Sequence, residues 1–396
     1  MENIIWTTGH RLKFGNIIHS ENCFVLDENG NRLVDLESGV WCTSVGHNNK
    51  RINKLIASQI NRITHTGFCY CHPAVSEVSQ KVLEITGLIG GKCEFLCSGS
   101  EAVELGLRIA RSIVEKPLAL TFSDAYFGAY GEAAKRPKDS WFVYNRFHCA
   151  CASEETGCLG ECDDFQNIPF EKIGIFLFEP GSSSGLVRFA SVELIQKVAA
   201  RVRANGGLVM ANEITTGAGR TGKWFGYQHY YILPDIVAMG KGIGNGYPVS
   251  ITAISAEVAR KLGEAHFLYA QSHQNDPLGA MVAGEVISII KEDQLLEKCN
   301  EIGNFLLESL RRLKKEFPVI KEVRGRGLML AIEFEQDALM IYEELLKKGF
   351  IVCWRPNTEV LRLDPALTIE KTTFDDFLNA FGQVLENVSE KKHSVC

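Results

Sequence analysis

The sequence predicts an α/β fold: a large domain with a mostly parallel sheet flanked by helices, plus a smaller α/β C-terminal domain. Three observations predict it. Leu118 to Phe122, Ile173 to Glu179, Leu208 to Ala211 and Asp235 to Met239 are short apolar runs without polar alternation, as expected of strands buried on both faces. Amphipathic segments lie between them, with Val192, Ile195, Val198 and Val202 at helical spacing, which is the alternation a parallel sheet requires. Near Asp293 two helical segments, about 278–291 and 294–316, are followed by a shorter mixed tail: a strand at 328–334, a helix at 336–348, a strand near 350–354 and a helix at 374–390. The organisation read from these is an N-terminal segment 1–50 that packs with the small domain, a large domain 51–292 and a small domain 293–396.

Composition bounds the function. A chain of 396 residues with 45% hydrophobic and 23% charged residues is ordinary for a globular protein. A net charge of −6 argues against nucleic acid or an acidic membrane surface as the partner. No basic segment leading into an apolar core opens the chain, and no run approaches the ~20 apolar residues of a membrane span. The thirteen cysteines are therefore read as thiols of a cytoplasmic protein. Asn387-Val388-Ser389 matches a glycosylation acceptor and is set aside for the same reason.

In chain order, residues 24–36 form a hairpin around Asp27-Glu28-Asn29-Gly30, and residues 50–65 have helical period. Trp41, between them, reads from composition as core filling. Residues 94–116 read as strand, turn and helix, with Ser98-Gly99-Ser100 at the turn. Such a turn is either an ordinary capped helix start or a cradle for a phosphate group, whose charge suits the free N–H groups and dipole there. Tyr126-Phe127-Gly128 follows the next strand and suits either the face of a planar ligand or the core. Cys149, Cys151, Cys158 and Cys162, beside His148, have the density of a metal site. Their spacing departs from the paired C-x2-C zinc pattern, and a thiol-rich surface loop is the reading preferred.

The strongest signal lies between Gly206 and Ser255. Ligands of open α/β sheets bind outside the carboxyl ends of strands, which puts Glu179, Asn212 and Lys241 at one crevice. Lys241 follows a buried strand directly and is ringed by Gly240, Gly242, Gly244 and Gly246. That setting suits a lysine holding an aldehyde cofactor. Gly217 to Lys223 fits a phosphate-loop pattern, but Trp224 replaces the required Ser or Thr and no helical pattern follows. Gly242-Ile243-Gly244-Asn245-Gly246 is a poor dinucleotide fingerprint, and signatures of zinc proteases, α/β-hydrolases and kinases are missing.

From Cys23 to Glu386 the chain resembles the class III (acetylornithine/ornithine/4-aminobutyrate-like) aminotransferases, fold-type I pyridoxal-phosphate (PLP) enzymes. The resemblance is carried by Ser98-Gly99-Ser100-Glu101-Ala102, Gly217-Ala218-Gly219-Arg220-Thr221-Gly222, and Pro234-Asp235-Ile236 through Lys241-Gly242 to Tyr247-Pro248. It implies transfer of an amino group between an amino acid and a 2-oxo acid. It further implies that Lys241 is the Schiff-base lysine and that Gly99 and Ser100 hold the cofactor phosphate. Tyr126 and Ile214 would sandwich the ring, with Phe127, Glu179 and Thr215 nearby. Ser272 would reach the phosphate of a second subunit, implying a homodimer with shared sites, while Trp41 and Arg362 would face the substrate. No metal is implied.

Departures from the family pattern matter as much. Asn212 stands where the family has an aspartate that keeps the pyridine nitrogen protonated. A neutral amide cannot do so, although its NH2 can donate to an unprotonated nitrogen. Ser184 replaces a glutamate that masks the arginine in ornithine-type members, so Arg362 is expected to be unmasked. Asn212 keeps two alternatives open: a PLP-dependent racemase, epimerase or aminomutase, and a binding protein without turnover.

Overall fold

The computed structural model describes residues 3–8, 12–13, 15–148, 152 and 157–393. Strands β1 (Ile17–Glu21), β2 (Phe24–Asp27) and β3 (Arg32–Asp35) form an antiparallel meander. The β2–β3 turn is the expected hairpin, closed by the Asp27 carboxylate, which accepts from the backbone N–H of Asn29 and Asn31 at 2.9 and 2.8 Å.

The central sheet contains β4 (Lys92–Leu96), β5 (Leu118–Phe122), β6 (Trp141–Tyr144), β7 (Ile173–Phe178), β8 (Leu208–Asn212), β9 (Ile236–Met239) and β10 (Ser250–Ile254). Its order is β4-β10-β9-β8-β7-β5-β6. The run from β9 to β6 is parallel, and β10 is antiparallel to both neighbours. Every residue of β7, β8 and β9 is buried, which explains their unbroken hydrophobicity. Helix Gly99–Ile113 sends Leu105 and Ile109 into a core with Met210 and Ile236. Helix Val192–Ala204 sends Leu194, Val198 and Val202 into a second core with Phe176 and Val209. Alternate residues of one strand therefore feed opposite faces of the sheet.

A second antiparallel sheet, order β11-β12-β15-β14, comprises β11 (Ile320–Arg326), β12 (Met329–Phe334), β15 (Val360–Leu363) and β14 (Cys353–Trp354). The single strand expected near 350–354 is divided. β13 (Phe350–Ile351) instead runs parallel to β3, while β14 joins β15. Helix Pro73–Thr86 escaped the sequence reading, although His72 caps it, Pro73 opens it and Gly87, at φ 74°, ends it. The helix expected over 50–65 stops at Ile60, where Asn61 donates its side-chain N–H to Ala57 O at 2.7 Å.

Arg220 ties these parts together. Buried to 1% exposure, it donates to Leu328 O at 3.1 Å, to Pro365 O, and to the hydroxyls of Ser38 and Ser44 at 3.2 and 3.4 Å. The Gly217 to Lys223 stretch is thus a packed turn and no phosphate loop: a Cβ on Gly327 would lie 2.6 to 2.8 Å from the backbone of Arg220 to Gly222. Removing the guanidinium orphans several buried acceptors at a cost of about 1–3 kcal/mol each before relaxation. Arg220→Ala is expected to lose about 3 kcal/mol or more of unfolding free energy in urea titration; a loss under about 1 kcal/mol would contradict this role.

Candidate active site

The carboxyl ends of β5, β7, β8 and β9 open onto one cavity of about 200 Å³. Gly99, Ser100, Tyr126, Phe127, Gly128, Glu179, Ser183, Asn212, Ile214, Thr215 and Lys241 line it. Nine of the twelve site residues expected from the sequence are therefore gathered in one place; Trp41, Ser272 and Arg362 are the three outside this lining. Phe127 contributes little ring surface, being buried to 2% in the core with its centroid 6.2 Å from that of Trp141.

At one end lies the start of helix Gly99–Ile113. Ser98 is the N-cap, and its reciprocal bonds with Glu101 make a capping box. Glu101 N is thereby satisfied and Ala102 N reaches Ser98 O. The N–H groups of Gly99 and Ser100 remain as the open donors facing the cavity. The turn is a capped helix start, and the cap leaves these two N–H groups for an anion. Close approach is built in, because a Cβ on Gly99 would stand 3.0 Å from the Ile214 side chain, and one on Gly128 2.5 Å from Ser100 Oγ.

On the floor, three strand ends are joined by polar contacts. Glu179 Oε2 accepts from Tyr126 N at 2.9 Å and Ser183 N at 3.2 Å, and its Oε1 accepts from Ser183 Oγ at 2.5 Å. Asn212 Nδ2 donates to Tyr126 O at 3.1 Å and lies 3.5 Å from Glu179 Oε1, while its Oδ1 accepts from Ile214 N at 3.2 Å. A backbone acceptor on one side and a backbone donor on the other fix the amide's orientation. One of its N–H bonds is thus given to the protein, while Asn212 still lines the cavity. Burial pushes the Glu179 carboxyl up to about 7 against the bonds that favour its charge. Thr215 Oγ1 is buried without a partner among the described residues.

Lys241 follows β9 with φ 47°, a strained setting for a side chain. Burial lowers the pKa of its amine, favouring the neutral, nucleophilic form. Its Nζ lies 4.6 Å from the centroid of the Trp41 ring, and the Arg362 guanidinium lies 3.9 Å from the same ring. Trp41 fills a core cluster with Val187, Phe189 and Met329, as its composition suggested, and also faces these two groups. It ends a left-handed stretch in which Ser38, Gly39, Val40 and Trp41 have φ of 43°, 56°, 60° and 64°.

Arg362 is not unmasked. Its Nη2 donates to Cys353 Sγ at 2.8 Å, and its Nε lies 3.6 Å from Asp364 Oδ2. The counter-charge comes from the arginine's own strand end, so the loss of an acid at position 184 leaves the guanidinium paired. Burial raises Asp364 to about 6 against the pull of Arg362 and Arg220. Neither Cys353 nor Asp364 stands out in the sequence; the latter carries only the weak signal of standing two residues from Arg362. Ser272 is exposed and lies outside the cavity of its own chain.

The profile of the Aminotransferase class-III family matches residues 8–385. The chain belongs to this family. Its cofactor is pyridoxal phosphate and its activity is amino-group transfer, on the fold-type I scaffold. Relatives include the leucine/methionine racemase of Thermococcus litoralis, 27% identical over 94% of this chain and 91% of the racemase. Ornithine aminotransferase 1 of Staphylococcus aureus is 28% identical over 92% of both chains. An S-selective transaminase from Arthrobacter sp. superposes with a TM-score of 0.89 at 21% identity, covering 98% of this chain and 97% of that one. The cavity suits the cofactor: open helix N–H groups fit a phosphate, the glycines allow close approach, and Thr215 Oγ1 awaits a polar partner.

Glu179 gives this class III site a pH signature. Its folded-state pKa of about 7 lies above the ordinary 4.5, so between those values the folded state binds more protons than the unfolded one. Stability therefore falls as pH rises through that window, by on the order of 3 kcal/mol for this group alone. Urea unfolding of cofactor-free protein at pH 5 and 8 is expected to show this loss in wild type and a smaller one in Glu179→Gln. Parallel behaviour of the two proteins would refute it.

Proposed function

We propose that this class III enzyme transfers amino groups between carboxylate-bearing amino acids and 2-oxo acids, with Lys241 as the catalytic residue. The observation carrying this reading is a depressed amine at a strand end, facing the same cavity as an anion-ready helix start and a buried amide–carboxyl floor. When bound, PLP supplies an aldehyde that captures amines and an electron-withdrawing ring that weakens bonds at the amino carbon. Gly99 and Ser100 would hold the phosphate, and Tyr126 and Ile214 would flank the ring, with Phe127 in the core beside Trp141. Thr215 would offer its hydroxyl to an oxygen on the ring, and Glu179 and Asn212 would shape the floor. Lys241 would take the proton from the amino carbon and deliver it to the cofactor carbon that carried the aldehyde, which leaves the amino group on the cofactor; return to the amino carbon would give no transfer.

Arg362 binds the substrate carboxylate as a bidentate partner, with Trp41 holding it in line with Lys241. In this reading residues 51–292 form the cofactor domain, 293–396 the small domain, and 1–50 pack with the latter. Ser272 serves a second copy in a homodimer. Its exposure supports this, as do exposed Phe68, Tyr70 and Leu268 in two segments joined by the His65–His273 ring contact. A cytoplasmic location is supported by the free thiol state of every cysteine among the described residues.

Asn212 favours a second reading, racemisation, in which a proton returns to the amino carbon without net transfer and a weaker electron sink suffices. Incubation with a panel of L-amino acids and 2-oxoglutarate separates the two: new amino acids support transfer, whereas lost optical activity alone supports racemisation. Lys241→Ala is expected to abolish both turnover and the visible absorption band of wild type loaded with PLP. Activity retained in this variant would sink the assignment. Arg362→Ala is expected to raise KM for the amino acid by about 10- to 100-fold, the worth of a charged hydrogen-bonded pair. An unchanged KM would remove Arg362 from substrate binding.

A further inference from the structure

Among the described residues the cysteine-rich segment gathers no metal site. Cys149 and Cys151 lie outside the described residues. Cys158 and Cys162 differ from the surface loop expected of them: Cys158 is buried in the core and Cys162 is half-buried. Their sulfurs stand 3.6 Å apart, but no third His, Cys, Asp or Glu among the described residues joins them. Three metal-ligating side chains meet instead at His65, His273 and Asp276, whose ligand atoms all lie within 4.8 Å of one another. One carboxylate serves both rings: His65 Nδ1 lies 2.6 Å from Asp276 Oδ1, and His273 Nδ1 lies 2.6 Å from Oδ2. The cavity at Lys241 is lined by other residues, so the reaction above uses none of the three.

Separate elements bring these ligands together. His65 follows helix Lys50–Ile60, where Gln59 Nε2 donates to Ile63 O at 3.0 Å and holds the chain two residues before the ring. His273 lies in a loop shaped by its own bonds, with His273 N donating to Gln271 Oε1 at 3.0 Å. Asn275 pins that loop to edge strand β4: its N–H donates to Phe95 O at 2.9 Å, and its Oδ1 accepts from Phe95 N at 3.0 Å. Asp276 is the N-cap of helix Pro277–Glu292. An aspartate there ordinarily turns its carboxylate onto the first free N–H groups of the helix. Asp276 makes no such bond and directs both oxygens at the imidazoles instead.

Two imidazoles and one carboxylate are a donor set for borderline divalent cations. Around such an ion, with bonds of ~2.0 to 2.2 Å, neighbouring ligand atoms stand roughly 3.0 to 3.5 Å apart. The two contacts of 2.6 Å therefore open by less than about 1 Å to admit it, a movement available to the exposed histidines. Three protein ligands on the solvent side also leave a coordination position for water.

We propose that His65, His273 and Asp276 hold a divalent cation of the zinc, nickel and cobalt class, bound through both Nδ1 atoms and the carboxylate, with water completing the coordination. Entry of the ion breaks the two hydrogen bonds, leaves each ring's proton on Nε2 and involves no redox change. The ion ties residue 65 to the loop that carries Ser272. All three ligands belong to one chain, so the site does not require a second copy.

The test is titration of tag-free, PLP-loaded full-length protein with Zn2+ by calorimetry and with Co2+ by absorption. One ion per chain is expected, with visible d–d bands of cobalt and no accompanying thiolate-to-cobalt charge transfer. His65→Gln, His273→Gln and Asp276→Asn keep hydrogen-bonding groups but replace a ligand, and each is expected to weaken binding by about 10-fold or more. Cys69→Ser, which removes the exposed thiol four residues from His65, and His19→Ala are expected to bind as wild type does. Zinc is expected to raise the Tm of wild type and to leave that of the three ligand variants unmoved. The proposal would be overturned by an affinity unchanged in the three ligand variants. The absence of saturable binding of either ion, or a cobalt spectrum of thiolate type alone, would overturn it as well.

Discussion

The site depends on one buried contact group: the Asn212 amide between the Tyr126 carbonyl, the Glu179 carboxyl and the Ile214 N–H. Parallel strands bring three polar chain ends together at the edge of an otherwise apolar sheet, and these ends must satisfy one another there. The amide suits this because it donates and accepts at once. A carboxylate at the same position would oppose the Tyr126 carbonyl and sit beside Glu179. The neutral residue at position 212 is therefore in keeping with its protein surroundings, whatever its consequence for the cofactor. It also fixes Tyr126, whose backbone is bonded on the N–H side by Glu179 and on the carbonyl side by Asn212.

Opposite this floor, strain is stored and held. Four consecutive residues from Ser38 to Trp41 lie in the left-handed region, and the three that are not glycine, one of them β-branched, each cost roughly 1–2 kcal/mol. Their surroundings compensate. Ser38 Oγ donates to Asp364 O at 2.6 Å and accepts from Arg220, and Leu36 O accepts from Asp364 N at 2.7 Å. The outcome is an indole with the Lys241 amine and the Arg362 guanidinium both against its ring. The same anchors join the N-terminal segment, the Arg220 turn and the strand that carries Arg362. Catalytic geometry and the packing of the chain's two ends are thus one structural problem.

Much of this is legible in the sequence because it follows from local rules. Unbroken apolar runs mark β7, β8 and β9, and the strand-end rule then places Glu179, Asn212 and Lys241 at one crevice. Ser98-Gly99-Ser100 is recognisable as a helix start of either kind, since capping and anion binding use different N–H groups of the same turn. What escapes depends on non-local pairing. The two-residue strands β13 and β14 are too short to have a period, and only their partners β3 and β15 define them. Arg362 was expected to be unmasked, and the carboxylate beside it, Asp364, lies just past the end of its own strand, where burial and the chain's course after β15 place it. Proximity of Cys158 to Cys162 is visible as density, but the donors on the sulfur come from β6 and from a glycine turn whose geometry no spacing rule encodes.

The most direct test is the unfolding free energy of cofactor-free Asn212→Asp against wild type at pH 8. If the floor is built around a neutral amide, the aspartate is destabilised by about 2 kcal/mol or more, through an unpaired buried acceptor and repulsion from Glu179. A variant as stable as wild type, or more stable, would contradict the account.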